Sequence, residues 1–130
     1  MALHDRNHRG WRRFFRSFVF AARGFRHVLR FEQNMRLHVI AAILAVSAAF
    51  YLHIPLLHWL VLILVIGGIF ALEIMNTAIE RTVDMITKEH HPEAGIIKDI
   101  SAAAVLIFSI AAAIIGLLIF FQPVTDTLFK

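Results

Sequence analysis

Five polar residues directly follow a long apolar segment, and they are spaced as one face of a helix. At 100° per residue, positions i, i+3, i+4, i+7 and i+11 fall within a narrow arc. Here those positions are occupied by Glu73, Asn76, Thr77, Glu80 and Asp84. A charged side chain in a membrane helix costs about 2.5–3.5 kcal/mol on insertion scales, so such residues usually mark a function. The simpler alternative is that Glu80 and Asp84 only begin a solvated extension of the helix.

Carboxylates and a lysine at a membrane interface suit the binding of a metal ion and phosphate. Two carboxylates from different elements can hold Mg²⁺ and still leave room for the phosphates of a substrate. Glu32, before the first apolar segment, and Glu80 are expected at the same depth and so could form this pair. Lys98 is expected at that level too, where it would neutralise phosphate charge. Asp99 would be a partner for Lys98 or a cap where the last helix opens.

Several other kinds of site are not supported by the sequence. It contains no GxxxxGK[ST], no GxGxxG, no kinase HRD or DFG set and no HExxH. It contains no cysteine, which excludes disulfides, thiolate metal sites and a cysteine nucleophile. His90 and His91 are adjacent and do not share a helical face, which argues against a zinc site.

Hydropathy indicates the elements that carry these residues. Of the 130 residues, 59% are hydrophobic, and the mean hydropathy is +0.73, which is high for a soluble domain. The apolar stretches are about as long as the ~20 residues that a helix needs to cross a membrane. They cover residues 37–52, 54–72 and 100–121. Pro55 breaks the helix between the first two stretches, the polar residues at 32–34 predict a turn before the first, and residues 87–95 are predicted to form a short loop. We therefore predict an all-α membrane protein with transmembrane helices at about 33–53, 55–87 and 96–121, in one domain, 11–130, that follows a disordered tail, 1–10.

A basic segment precedes the first predicted span. Between residues 11 and 31, apolar side chains recur at helical spacing among arginines, which predicts an amphipathic helix on the membrane surface. The excess of arginine before residue 37 places this end in the cytoplasm by the positive-inside rule. Alternation then puts the hairpin at 53–58 outside, residues 81–99 in the cytoplasm and Lys130 outside. Nucleic-acid binding is the other use of a basic segment, but no nucleic-acid fold motif accompanies it.

Two motifs carry a resemblance to a known family. Glu73-Ile-Met-Asn76-Thr77-Ala-Ile-Glu80, then Asp84 and Lys98-Asp99-Ile-Ser-Ala-Ala-Ala-Val105, closely resemble the signature of the small prokaryotic diacylglycerol kinase and undecaprenol kinase family. The resemblance runs from about residue 13 to 121. It implies a homotrimer of three-span subunits, each preceded by a surface helix, with active sites shared between neighbours. It also implies an enzyme of the bacterial plasma (inner) membrane that uses ATP and Mg²⁺ to phosphorylate a membrane lipid alcohol.

The resemblance also implies a role for each matching residue. Glu73 matches the general base that takes the proton from the lipid hydroxyl, and Asn76 matches a residue that helps to order the site. Glu32 and Glu80 match the metal-binding pair. The residues implied to contact the nucleotide are Arg13, Glu32, Glu80, Glu89, His90, His91, Lys98 and Asp99.

The lipid is inferred from two further segments, 32–38 and 90–94, which look more like the undecaprenol kinase branch. We therefore expect conversion of undecaprenol to undecaprenyl phosphate. The alternative is a diacylglycerol kinase that makes phosphatidic acid. Substrate choice of this kind depends on small contact differences that the sequence does not display.

A different class of function is a small channel or proton-coupled transporter subunit, which intramembrane carboxylates also suggest. A proton relay should continue through the far half of some helix, yet residues 54–70 offer only His58 as a polar group near the outer end. A non-catalytic scaffold would leave Glu73, Asn76 and Lys98 unexplained.

Overall fold

The chain folds into four helices. A computed structural model describes residues 10–87, 89 and 91–129, and those residues contain no strand. The helices are α1 Trp11–Phe31, α2 Gln33–Tyr51, α3 Leu56–Ile86 and α4 Pro92–Leu128. The last three are long and apolar enough to cross a membrane. The predicted all-α architecture with three long apolar helices is confirmed, whereas the tail at residues 1–9 and Lys130 lie outside the described residues.

A single residue separates α1 from α2. Glu32 adopts an extended conformation with φ −100° and ψ 123°, and its N–H still donates to the carbonyl oxygen of Val28. No glycine or proline stands at this joint, but Glu32, Gln33 and Asn34 are polar. The turn expected near these three residues is therefore present. It leaves the Glu32 side chain at the corner between the first helix and the first span.

The hairpin between α2 and α3 follows from its proline. Pro55 is the N-cap residue of α3, and its fixed φ suits the residue before a helix. Because proline has no backbone N–H, it could not donate a hydrogen bond that would continue α2. His53 has a φ of +50°, and its Nδ1 lies 3.1 Å from the carbonyl oxygen of Tyr51. Apolar residues close this end of the bundle, with a core of Ala49, Ile54, Leu62 and Ile119.

The last helix is longer than hydropathy predicts. It begins at Pro92, the first helical position, so the loop predicted for residues 87–95 is shorter and the predicted start at 96 is four residues late. Proline suits this position because the N–H it lacks would have no partner there. Asp99 lies two turns inside α4, and the N-cap residue is His91, so the interpretation of Asp99 as a cap is wrong.

The same helix continues past the end of its apolar segment. It runs through Pro123 to Leu128 rather than ending near 121. The hydroxyl of Thr125 donates to the carbonyl oxygen of Gln122 and that of Thr127 to the carbonyl oxygen of Pro123, each at 2.8 Å. Pro123 removes the N–H that would bond to the carbonyl oxygen of Ile119, whereas these two hydroxyl bonds lie within the last turns of the helix.

The most extensive helix pair is α3 with α4, while α2 packs on α3 and α1 contacts both. Gly68 allows the close approach of α3 and α4, because a Cβ at this position would lie 2.8 Å from Cε1 of Phe108. Small residues drive helix association in lipid, where the hydrophobic effect between helices is absent. At the other end of the same pair lie the polar residues of the predicted site.

Much of the apolar surface of the helices is exposed. Leu64, Ile107 and Leu117 are 74%, 69% and 74% exposed, and many other large aliphatic residues resemble them. A soluble monomer rarely exposes apolar patches larger than a few hundred Å². Together with the three long apolar helices, this surface is that of a membrane protein. The surface position of α1 and the trimeric assembly stay predictions.

Replacing Gly68 with alanine is expected to destabilise the protein, because the ring of Phe108 must move to admit the new methyl group. Overpacking of this kind costs about 1–3 kcal/mol. Gly67→Ala is the matched control, since nothing lies within 4 Å of a Cβ there. Thermal unfolding in detergent, followed by circular dichroism, should show a lower midpoint for Gly68→Ala only. Equal midpoints for the two variants would contradict the packing described.

Candidate active site

Glu73 lies buried within the helix bundle, although it carries a carboxylate. Only 2% of the residue is exposed, and its Oε2 has no hydrogen-bond partner in the part of the chain that the structure describes. Leaving a buried polar group without a partner is costly, so such a group calls for a functional explanation. A carboxylate oxygen without a partner can accept a hydrogen bond or a proton. The chemistry available at Glu73 is therefore proton transfer or ligand binding.

Glu32 and Glu80 lie near Glu73. Both are close enough for their charges to act on the Glu73 carboxylate, so the structure brings the three predicted acidic residues to one end of the bundle. Glu32 reaches this place because the chain turns there between α1 and α2. Glu80 lies two turns beyond Glu73 on α3. Carboxylates gathered in one region are suited to binding a cation.

Asn76 connects Glu80 to α4. Its Nδ2 donates to Oε1 of Glu80 at 3.0 Å, and its Oδ1 accepts from the hydroxyl of Ser101 at 2.5 Å. Asn76 and Ser101 are both 8% exposed. The hydroxyl of Thr77, in contrast, donates to the carbonyl oxygen of Glu73 at 3.0 Å. Thr77 lies on the polar arc of α3, but its hydroxyl forms a hydrogen bond to the backbone of that same helix.

Arg81 neutralises part of the acidic cluster. One of its guanidinium nitrogens lies 3.6 Å from Oε1 of Glu32, and the guanidinium carbon lies 6.0 Å from the centre of the Phe31 ring. The pair is half-exposed on the arginine side, so it is a weak interaction in energy. A long, weakly held side chain of this kind leaves Glu32 available to a stronger partner such as a divalent cation.

A polar cavity lies next to the cluster, between the ends of α3 and α4. Its volume is about 540 Å³. Lys98 reaches across it, with Nζ at 2.5 Å from Oδ1 of Asp84. The residues implied to contact a nucleotide that line this cavity are Glu89, His91, Lys98 and Asp99. Lys98 therefore pairs with Asp84 and not with Asp99. His90 lies outside the described residues.

Arg13 is not brought to this site within one chain. It is exposed in the first turn of α1, and the contacts of that helix with the bundle come from its other end, where Val28 is buried and the Phe25 ring lies 6.2 Å from that of Phe70. At 1.5 Å per residue, Arg13 is roughly 28 Å along the chain axis from Glu32. Any contact of Arg13 with a nucleotide would have to occur at a neighbouring subunit or another part of the membrane surface.

The acidic residues fit a magnesium site that has few protein ligands. No group of three or more histidine, aspartate or glutamate side chains that could hold a metal ion occurs among residues 10–87, 89 and 91–129. Mg²⁺ bound with substrate phosphates commonly uses only one or two carboxylates, with water and phosphate oxygens completing the shell. Glu32 and Glu80 supply such oxygens. The donor set therefore fits Mg²⁺ bound together with phosphate and does not fit a dedicated protein cage.

Sequence reasoning did not identify Ser101, Arg81 or the pairing of Asp84. Ser101 stands before three alanines and resembles a small packing residue, although it follows Lys98 by three positions and so lies on the same helical face. The sequence shows that Arg81 is charged, but its partner, Glu32, lies far away in sequence, between α1 and α2. Asp84 was grouped with the acidic arc, and the structure instead places it in the cavity with Lys98.

Comparison with known proteins shows the family. The family model of prokaryotic diacylglycerol kinase matches residues 19–120. The chain is 47% identical over 108 residues to undecaprenol kinase from Bacillus subtilis, covering 83% of this chain and 88% of the relative. It is 34% identical over 108 residues to diacylglycerol kinase from Escherichia coli, with the same coverage. It is 36% identical over 101 residues to diacylglycerol kinase from Synechocystis, covering 77% of this chain and 58% of the relative.

The chain therefore belongs to the prokaryotic diacylglycerol kinase family. It is an enzyme, a lipid kinase, and the predicted family and enzyme class are confirmed. This result favours the kinase hypothesis over the channel, transporter and scaffold hypotheses. The acidic cluster and the adjacent polar cavity are accordingly considered below as the parts of a site for phosphoryl transfer.

Replacing Asp84 with asparagine is expected to change the free energy of unfolding by less than about 1 kcal/mol, because exposed ion pairs contribute little. The side chains of Lys98 and Asp84 are 36% and 61% exposed. Thermal unfolding of Asp84→Asn, Lys98→Met and the double variant would give the coupling energy of the pair. A coupling well above about 2 kcal/mol would show that the pair has a structural role that its exposure does not suggest.

Proposed function

We propose that this protein transfers the γ-phosphate of ATP to undecaprenol at the cytoplasmic end of α3 and α4. The observation that carries the proposal is the buried Glu73 carboxylate, one oxygen of which has no hydrogen-bond partner among the described residues. Glu80 and Glu32 are close enough for their charges to act on this carboxylate. Among lipid kinases, such a group suits a base that accepts the proton of an alcohol. Undecaprenol is favoured over diacylglycerol because identity is 47% to the relative with the former name and 34–36% to those with the latter.

The transfer is a displacement at phosphorus. The lipid hydroxyl oxygen forms a bond to the γ-phosphorus, and the bond from that phosphorus to the β–γ bridging oxygen breaks. ADP leaves with the electron pair of that bond, and Glu73 accepts the proton of the hydroxyl. Phosphoryl transfer mainly needs positioning and charge stabilisation, so few protein groups are sufficient.

Binding of the nucleotide would use both parts of the site. Glu32 and Glu80 would hold Mg²⁺, which would neutralise phosphate charge when bound. Lys98 would leave Asp84 to contact the phosphates, with Asp99, Glu89, His90 and His91 around the rest of the nucleotide. This assignment is supported by the cavity of about 540 Å³ that Lys98 shares with Glu89, His91 and Asp99. Asn76 would hold Glu80 in place through its 3.0 Å hydrogen bond.

A homotrimer with shared sites is part of the proposal. It is supported by the distance of Arg13 from the cluster within one chain and by the wide exposed apolar surface of α2, α3 and α4. Arg13 would then reach the nucleotide of a neighbouring subunit. The proposed location is the bacterial inner membrane, with α1 on the cytoplasmic surface, the N-terminus inside and the C-terminus outside. The excess of arginine in α1 supports that orientation.

A direct assay tests the function. Purified protein in mixed micelles is given γ-labelled ATP, Mg²⁺ and either undecaprenol or diacylglycerol, and labelled lipid is separated from ATP. We expect transfer to undecaprenol at a higher kcat/KM than to diacylglycerol. Preferred transfer to diacylglycerol would reverse the choice of lipid. Transfer to neither lipid would overturn the proposed function.

Replacing Glu73 with glutamine is expected to reduce kcat about 100-fold or more, because an amide cannot accept the proton and a general base contributes about 10²–10⁴-fold. Binding of MgATP, measured by calorimetry, should change little, since the nucleotide cavity does not include Glu73. Asp126→Asn makes the same chemical change in an exposed residue at the opposite end of the bundle, and it should retain activity. Near-normal turnover by Glu73→Gln would exclude Glu73 as the base.

A further inference from the structure

Ser101 carries a buried hydroxyl on α4 that contacts Asn76 on α3. Its Oγ lies 2.5 Å from Oδ1 of Asn76 and 3.1 Å from the carbonyl oxygen of Lys98. Neither the family motif nor the proposed chemistry assigns it a role. We infer that Ser101 is a positioning residue for metal and nucleotide binding, acting through Asn76 on Glu80. This inference rests on the proposed function, in which Glu80 holds the metal.

The geometry forms a chain of two hydrogen bonds between the helices. The hydroxyl of Ser101 donates to Oδ1 of Asn76, and Nδ2 of Asn76 donates to Oε1 of Glu80 at 3.0 Å. An ionised carboxylate can only accept hydrogen bonds. Glu80 therefore requires the Nδ2 side of the amide, which turns Oδ1 towards Ser101. Among the described residues, the hydroxyl of Ser101 is the side-chain donor to Oδ1, and the two bonds give all three side chains a partner.

The chain of bonds controls which oxygen of Glu80 remains free. Oε1 accepts from Asn76, so the second oxygen is left for a cation. Partners that hold a metal ligand in orientation commonly contribute 10- to 100-fold to metal affinity. Without the hydroxyl of Ser101, Oδ1 of Asn76 would be a buried acceptor with no donor, and the amide would gain freedom to rotate away from Glu80. The carboxylate would then be less well oriented for Mg²⁺.

The same contact links the two parts of the site. Ser101 follows Lys98 by one helical turn, and the carbonyl oxygen of Lys98, 3.1 Å from Oγ, is the alternative acceptor for its single hydroxyl proton. Lys98 lines the proposed nucleotide cavity. The hydrogen bond of Ser101 to Asn76 thus joins the segment of α4 that carries Lys98 to the segment of α3 that carries Glu80. A residue that served packing alone would not need a hydroxyl at this position.

Another serine on α4 provides a matched control. The hydroxyl of Ser109 is also buried, but it has no hydrogen-bond partner among the described residues, and it lies two helical turns beyond Ser101 towards the middle of the bundle. Ser101→Ala and Ser109→Ala remove the same atom from the same helix. They differ in whether that atom contacts the proposed metal ligand shell.

The test measures kinase activity of both variants as a function of Mg²⁺ and of ATP concentration. For Ser101→Ala we expect the Mg²⁺ concentration for half-maximal activity and the KM for ATP to rise about tenfold, with kcat falling less than threefold. Ser101→Thr, which keeps the hydroxyl, should restore most of the Mg²⁺ affinity. Ser109→Ala should match the wild type in both constants. Calorimetric titration of ATP with and without Mg²⁺ gives the same comparison in the absence of lipid.

The outcomes separate this inference from the proposed function. An unchanged Mg²⁺ dependence in Ser101→Ala, or an equal change in Ser109→Ala, would overturn the role of Ser101 while wild-type lipid phosphorylation still supported the function. A fall in kcat with no change in either constant would also overturn it. Failure of the wild type to phosphorylate any lipid would overturn the proposed function, and the Mg²⁺-dependent ATP titration would still decide whether Ser101 affects metal binding.

Discussion

The antiparallel packing of α3 against α4 is the constraint on which the rest of the molecule depends. Three contacts define its register: Gly68 with Phe108, Asn76 with Ser101, and Asp84 with Lys98. The first is a steric contact in the apolar part of the pair, the second is a buried hydrogen bond, and the third is an exposed ion pair. A slip of one residue along either helix would break all three together, so close packing in the apolar region also sets the geometry of the polar end.

The physical character of the helix pair changes along its length because its solvent changes. Where the helices are apolar, association in lipid relies on close van der Waals contact, which small residues permit. Where the helices leave the apolar region, burying a polar group costs less free energy if the group is hydrogen-bonded. Asn76, Ser101 and Glu80 are hydrogen-bonded to one another there. Glu73 lies between these zones, and one of its oxygens has no hydrogen-bond partner in the part of the chain that the structure describes.

A small membrane enzyme can work with few groups because its lipid substrate is already confined to the membrane. A lipid alcohol is held at the interface by its chain, so the protein has only to bring the nucleotide to the same depth. The turn at Glu32 and the cavity between α3 and α4 place carboxylate and lysine side chains at the same end of the bundle. The side chains of the site must also be oriented, and buried hydrogen bonds can do this even where contacts are few.

Local sequence determined much of this protein. The lengths of the apolar segments, the break at Pro55 and the polar joint at Glu32 predicted three long helices and their order, because each depends on a local property. The polar arc from Glu73 to Glu80 was also visible, since helical periodicity is local. The start of α4 could not be predicted, because Pro92 is equally compatible with a loop and with the first position of a helix.

Only the tertiary structure decided which residues meet across helices. Ser101 with Asn76, Arg81 with Glu32 and Lys98 with Asp84 each join positions on different elements. Such pairings depend on the register and rotation of packed helices, which follow from the fit of many side chains at once and from no local pattern. The sequence thus determined the types of chemical group at this end of the bundle, and the packing of α3 on α4 decided how they are paired.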